Sequence, residues 1–274
     1  MNTTVALDGV PRRLEELRLQ DFLQCFQFGA GFFETFLLTE GEPMFLERHL
    51  ARLRESLAAH APAVRAPAAE LLAPEAVRET LRRCLEADDA LGPRFTGVGK
   101  LVAGDGHLLL MFRPLPPNHE QLQREGRSLD ELEERSYRRG EPSLNHKSLA
   151  YLRQFTHMER MPLFLNEAGE VCEVPTGNLF LLLGEALVTP PLDAPCLPGV
   201  VRAVLREVGR VGRWPVEERP VHRAQLEAVR GCFMTNSVSL ALPVPRLLGR
   251  SLPESVALAA AAREAVWAQA HRTA

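Results

Sequence analysis

The sequence predicts a mixed α/β fold of the α+β kind, divided into two domains. Three observations carry that expectation. A chain of 274 residues is long for one domain and natural for two. Strand-like and helix-like patterns alternate irregularly, without the regular βαβ repetition of a doubly wound sheet. A polar, proline-rich stretch at 113–126 (RPLPPNHEQLQREG) interrupts the patterning and reads as the boundary. The expected division is an N-terminal α/β domain at 1–115, a linker at 116–126 and a C-terminal domain at 127–274.

In the first half, residues 5–7 and the turn Asp8-Gly9 read as strand and turn. The apolar run 32–38 turns at Gly41-Glu42-Pro43 into 44–46, a hairpin. Leu46, Leu50, Leu53 and Leu57 then follow a helical stripe. An Ala/Pro-rich stretch at 58–74 reads as loop with a short helix. Pro74 suits a first helical position, ahead of a stripe of Val77, Leu81, Cys84 and Leu85. Residues 94–101 and 107–112 read as strands about the turn Ala103-Gly104-Asp105-Gly106.

The second half starts with a strand near 127–132. A helix is expected at 145–161. Short strands are expected at 163–166, 170–174, 179–183 and 187–188. Pro198 opens a helix carrying Val200, Val201, Val204, Leu205 and Val208. A strand at 232–235 leads into Asn236-Ser237, and an alanine-rich helix closes the chain at 254–270.

Composition excludes several classes of function. Hydrophobic residues make up 46% and charged residues 24%, with a formal net charge of −3, so a basic nucleic-acid footprint is absent. No apolar run approaches the roughly 20 residues of a membrane helix. The start MNTTVALDGVPRR lacks a basic n-region and an apolar core, so no signal peptide is expected. The five cysteines are scattered, without CxxC spacing, so neither a disulfide framework nor a zinc site is expected, and a reducing cytoplasm suits them. GxSxG, HExxH and the phosphate-loop pattern do not occur. His49 and His146 are isolated histidines, for which direct chemistry is the minor expectation.

Lysine usage is the most informative count. Of 32 basic side chains, only Lys100 and Lys147 are lysine. Codon bias explains the excess of arginine, but guanidinium stays protonated, whereas a lysine amine can lose its proton and condense with a carbonyl. Lys147 is expected early in the 145–161 helix, with Tyr151 at i+4 on the same face. Tyrosine is equally scarce, at two residues, Tyr137 and Tyr151. Lys100 reads as a strand-end surface lysine. Glu173 is a carboxylate among Val171, Val174 and an apolar strand, and a buried carboxylate needs a partner. Val200 and Val201 follow Pro198-Gly199, where the first amides of a helix make an anion site. Thr235-Asn236-Ser237 offers a hydroxyl and further amides after a strand. Arg52 lies about 120° from the leucine stripe of its helix, placed to flank a cleft or to sit in solvent.

The ordered set of segments resembles the fold-type IV pyridoxal-phosphate (PLP) enzymes. The segments are QFGAGFFET at 27–35, ERHLARL at 47–53, KSLAYL at 147–152, NEAGEVCE at 166–173 and GNLF at 177–180. TPPL at 189–192, LPGVVR at 197–202, and FMTNS at 233–237 with PV at 243–244 complete it. This class contains branched-chain aminotransferases, D-amino-acid aminotransferases and aminodeoxychorismate lyases. The resemblance implies a larger, barrel-like C-terminal domain, a site between the two domains and a homodimer. It implies that Lys147 condenses with the cofactor aldehyde and, once displaced, carries protons to and from the substrate carbon. Glu173 would bond the pyridine nitrogen, Tyr151 the ring hydroxyl, and Leu197 would pack on the ring. Arg52, Val200, Val201, Asn236 and Ser237 would hold the phosphate. Ala30, Ala150 and Val201 stand where the family usually has Asp, Asn and Thr, and 94–112 lacks an arginine-glycine substrate loop. The motifs look most like aminodeoxychorismate lyase, which gives 4-aminobenzoate and pyruvate for folate synthesis. A class IV aminotransferase of branched-chain or D-amino acids is the alternative. A non-catalytic relative binding a small anion or a partner is the alternative of another class.

Overall fold

The computed structural model describes residues 4–134, 139–140 and 145–273, and Tyr137 lies outside them. The chain divides into two units, Met1–Pro116 with Lys147–Tyr151, and Pro117–His146 with Leu152–Ala274.

The first unit is one six-stranded antiparallel sheet with helices. In order come β1 (Thr4–Leu7), β2 (Val10–Arg13), α1 (Leu23–Phe28), β3 (Phe32–Thr39), β4 (Glu42–Pro43), α2 (Leu46–Ala59), α3 (Pro74–Ala87), β5 (Gly97–Gly104) and β6 (His107–Arg113). Strand order is β2-β1-β6-β5-β3-β4. Alternation along β3 sorts its side chains. Phe32, Phe36 and Leu38 pack with Leu46, Leu50, Leu53 and Leu57 of α2 and with Val77 and Leu81 of α3. Phe33 points the other way, into a smaller cluster with Val5, Val102 and Leu109, bordered by Leu149 and Tyr151. Gly99 is required under Phe36, because a Cβ there would stand 2.3 Å from the ring.

The second unit comprises α4 (His119–Glu125), β7 (Leu132–Glu134), α5 (Leu152–Phe155), β8 (Leu163–Leu165), β9 (Asn178–Leu183), β10 (Ala186–Thr189) and α6 (Val200–Val208). It continues through β11 (Arg210–Val211), β12 (Trp214–Glu218), β13 (Gly231–Asn236), β14 (Leu240–Pro243), β15 (Arg246–Leu247), β16 (Arg250–Ser251) and α7 (Ser255–Thr273). Its main sheet has the order β11-β12-β10-β9-β13-β14, antiparallel except for the parallel β10–β12 pair. Two short ladders, β7–β8 and β15–β16, bring Leu163, Leu165 and Leu247 to the core that Leu179, Leu181 and Leu183 face from β9. The core is thus enclosed by strands on more than one side, the barrel-like arrangement expected of this half.

Three local expectations differ from what is found. The helix expected at 145–161 is helical only over Leu152–Phe155. Residues 147–149 are extended instead, because β3 offers them an unpaired edge. Phe33 N–H donates to Lys147 C=O and Leu149 N–H to Gly31 C=O, both at 2.9 Å. That pairing places Lys147–Tyr151 with the first unit, not with residues 127–274. The segment expected to link the domains carries α4 and belongs to the second unit from Pro117. Residues 170–174 form no ladder, only the isolated bridges Leu165–Val171, Glu170–His222 and Val174–Gly177.

Candidate active site

In the first unit the two lysines of the chain share one aromatic ring. Lys147 Nζ lies 4.6 Å from the Phe33 centroid and 5.3 Å from that of Tyr151, and Lys100 Nζ lies 4.5 Å from Phe33. Tyr151 meets Phe33 edge-on at 5.3 Å. Lys147 and Tyr151 do come together as expected, but not through the period of a helix: the chain pairs with β3 on either side of Ser148 and then turns, Tyr151 N–H donating to Leu149 C=O at 2.7 Å. Lys100 is not at a strand end. It stands mid-β5, opposite Thr35, where burial and the Arg113 charge hold its pKa below the usual lysine value.

On the helix side of β3 lies a buried charge cluster. Glu34 is 1% exposed and receives Arg52 in a two-pronged grip, Nε to Oε1 at 2.7 Å and Nη2 to Oε2 at 2.6 Å. His49 Nδ1 lies 2.6 Å from Glu34 Oε2. Burial pushes the Glu34 carboxyl up, but Arg52 and His49 outweigh it and bring it from 4.5 down to about 2. Burial pushes His49 down from 6.5; Glu34 opposes, and the Arg52 and Lys147 charges add to the fall. His49 is therefore a neutral ring that donates Nδ1–H to Glu34 and keeps Nε2 as a buried acceptor, which has no hydrogen-bond partner among the described residues. Arg52 is thus no solvated arginine, and two of its three nitrogens are committed to Glu34. Sequence reasoning gave Glu34 no role and His49 a minor one. The available signal was the i, i+3 spacing of His49 and Arg52, which puts both on the strand-facing side of α2.

In the second unit Glu173 is 8% exposed, as its apolar neighbours predict, and Leu197 N–H donates to its Oε2 at 2.9 Å. Burial, reinforced by the Glu173 charge, pushes the adjacent Cys172 thiol up to about 12, so it stays neutral beside the carboxylate. After Leu197 the chain turns through Pro198 and Gly199 into α6. Ala203 N–H is the first to close on the helix, reaching Gly199 C=O at 2.9 Å. The preceding N–H groups of Val200, Val201 and Arg202 have no carbonyl one turn back. Their first turn holds no acid, and Gly199 supplies no capping side chain. Val200 and Val201 bury their side chains, so only their amides can serve a ligand. Arg202, 2% exposed, fastens this turn through Pro190 C=O at 2.7 Å and a contact with Glu218. Asn236 Oδ1 accepts from Val238 and Ser239 N–H at 3.1 and 2.8 Å, so that side chain closes the turn beside the half-buried Ser237.

Taken unit by unit, the groups have chemistry that suits PLP: the first carries an amine that can condense with an aldehyde, Lys147, and the second a buried carboxylate that suits a protonated pyridine nitrogen, Glu173. The phosphate end has the open amides of α6 and an orphaned hydroxyl: Thr235 Oγ1 is buried without a hydrogen-bond partner among the described residues. Such a polar atom calls for a ligand atom or a water. The five cysteines are all free thiols, and no described group of His, Cys, Asp and Glu has the makings of a metal site.

The chain belongs to the amino-transferase class IV family, whose model matches residues 31–247, and the enzymes of this family depend on PLP. It is 30% identical over 254 residues to aminodeoxychorismate lyase of Bacillus subtilis, covering 84% of this chain and 81% of that one. It is 26% identical over 261 residues to a bifunctional aminodeoxychorismate lyase / D-amino acid transaminase of Mycobacterium tuberculosis, covering 83% and 85%. Among solved structures it is similar to 4-amino-4-deoxychorismate lyase of Pseudomonas aeruginosa, with a TM-score of 0.72, 28% identity and 97% of each chain covered. The chain is therefore a class IV PLP enzyme acting on a small molecule, and no described helix is long and apolar enough to cross a membrane.

Proposed function

We propose that the protein is a 4-amino-4-deoxychorismate lyase that forms 4-aminobenzoate and pyruvate, a step of folate synthesis. The observation that carries this reading is the 30% identity to a lyase across most of both chains. Bound PLP supplies an aldehyde that takes an amine and a pyridine ring that accepts electrons from the adjacent carbon. Lys147 holds the cofactor through Nζ, and the amine, when freed, takes the proton from the amine-bearing carbon of the substrate. Loss of that proton aromatises the ring as the enolpyruvyl group departs, to become pyruvate on protonation. Glu173, fixed by Leu197 N–H, accepts the pyridine N–H and keeps that nitrogen protonated. Tyr151 bonds the ring hydroxyl, and Leu197 covers the ring. The amides of Val200 and Val201, Arg52 and the Asn236-Ser237 turn hold the phosphate.

Purified protein given 4-amino-4-deoxychorismate and no keto acid releases pyruvate and 4-aminobenzoate in equal amounts. Amino transfer that requires a keto acid, with no pyruvate released, would sink the lyase reading. It would establish the second one, an aminotransferase, which the bifunctional relative favours.

A second copy of this chain covers the apolar side chains left exposed on the first unit. Phe26 and Phe28 are 72% and 74% exposed, with Leu19 and Leu23 beside them in sequence at 58% and 43%. Sedimentation at micromolar concentration shows a homodimer, and Phe26→Ser shifts it toward monomer. A wild-type protein sedimenting as a monomer contradicts this. Five unpaired thiols suit the reducing cytoplasm.

A further inference from the structure

The turn that leads into α6 is held from two sides. Leu197 N–H donates to Glu173 Oε2 at 2.9 Å, and Leu197 C=O accepts from Asn178 Nδ2 at 2.8 Å. Asn178 opens β9, is 4% exposed and stands directly opposite Thr235 of β13. Directly opposed strand residues share a face, so Asn178 and the orphaned Thr235 hydroxyl point to the same side of the sheet. Asn178 also presses on the next part of the turn. A Cβ at Gly199 would stand 2.0 Å from Asn178 Oδ1. One amide therefore touches the turn at 197 and at 199, immediately before the open N–H groups.

Apolar packing does not fix this turn, because Leu197, Pro198 and Gly199 are only half-buried. Gly199 is the N-cap residue and has no side chain to bond the first turn of α6. A buried carboxamide pays for its desolvation only if its donors find acceptors. Asn178 spends one on a turn carbonyl, which makes it the tie between β9 and the start of the helix.

We propose that Asn178 is a positioning residue for anion recognition. By gripping Leu197 and Gly199 it fixes the first amides of α6 relative to Glu173. The phosphate and the pyridine nitrogen are then gauged by one rigid piece of the second unit. This rests on the reading of the α6 amides as the phosphate site.

The test compares PLP with pyridoxal, which lacks the phosphate. Each is titrated into the full-length apoprotein and followed by equilibrium dialysis. The ratio of the two affinities measures phosphate recognition. Asn178→Ala lowers that ratio by at least about tenfold while pyridoxal affinity stays within about twofold of wild type. Gly199→Ala strikes the same contact from the other side and lowers the ratio as well. The double variant loses no more than the worse single one, because both act through one contact. If Asn178→Ala does not fold, Asn178→Leu keeps the size and removes the donor without adding a charge, and its ratio falls likewise. A wild-type ratio retained in the folded variant overturns the proposal, as does an equal loss for PLP and pyridoxal. A wild-type protein with no preference for PLP overturns the phosphate reading itself, and this proposal with it.

Discussion

Lys147→Ala lowers the rate of 4-aminobenzoate formation by at least about 10⁴-fold, as expected for removal of a residue that both binds covalently and moves the proton. Lys147→Arg loses as much. It keeps a cation over Phe33 and Tyr151 but cannot supply a neutral amine at neutral pH. The pair of variants thus separates charge from nucleophilicity. Both fold, because the backbone of residue 147, not its side chain, makes the bond to Phe33 N–H. Borohydride fixes PLP to the wild-type chain and to neither variant. Turnover within tenfold of wild type in Lys147→Ala would remove the residue from the mechanism and with it the proposed reaction.

Glu34→Gln lowers unfolding free energy by about 3–5 kcal/mol, the usual cost of removing one partner of a buried charge pair. The cation that loses Glu34 is Arg52, whose side chain is 9% exposed. Neutral His49 then loses its charged acceptor too. Urea unfolding measures the loss, and a change below about 1 kcal/mol would mean that water reaches Arg52. The same carboxylate sets an acid limit. Its folded pKa of about 2 lies below the ordinary 4.5, so its contribution is complete above about pH 4.5. That contribution, about 3 kcal/mol, is lost as the pH falls from there toward 2. In Glu34→Gln the stability curve is flatter over that interval.

What could be read from the sequence, and what could not, follows from the range of each interaction. Lys147 stood out by scarcity, a property of composition that needs no fold. Its partnership with Tyr151 was also legible, because a spacing of four places two residues on one face of a helix. The means was not legible, because the pairing with β3 and the turn after it bring the two together instead. The leucine stripe of α2 was plain, since its period is local. The Glu34 cluster was not, because its carboxylate is 15 and 18 residues from its partners and is defined only once α2 packs on β3. Strand β12, WPVEE, was missed because it is short, holds a proline and pairs in parallel with β10 at long range. Helix α4 was hidden by prolines that precede it and do not enter it. Asn178 was visible in the sequence only as part of a motif, since its bond to Leu197 spans 19 residues.

The sharing of the Phe33 ring by Lys100 and Lys147 has a practical side. Every lysine amine of this chain stands over a single benzene ring. Apart from the α-amino group, amine-directed reagents, which on most proteins scatter over the surface, would here report on one spot, and mapping their lysine adducts would amount to footprinting it. Coupling the protein to a solid support through lysine would, by the same token, tether it by that spot. Immobilisation for assay or for biocatalysis is better directed at carboxylates or at an added tag.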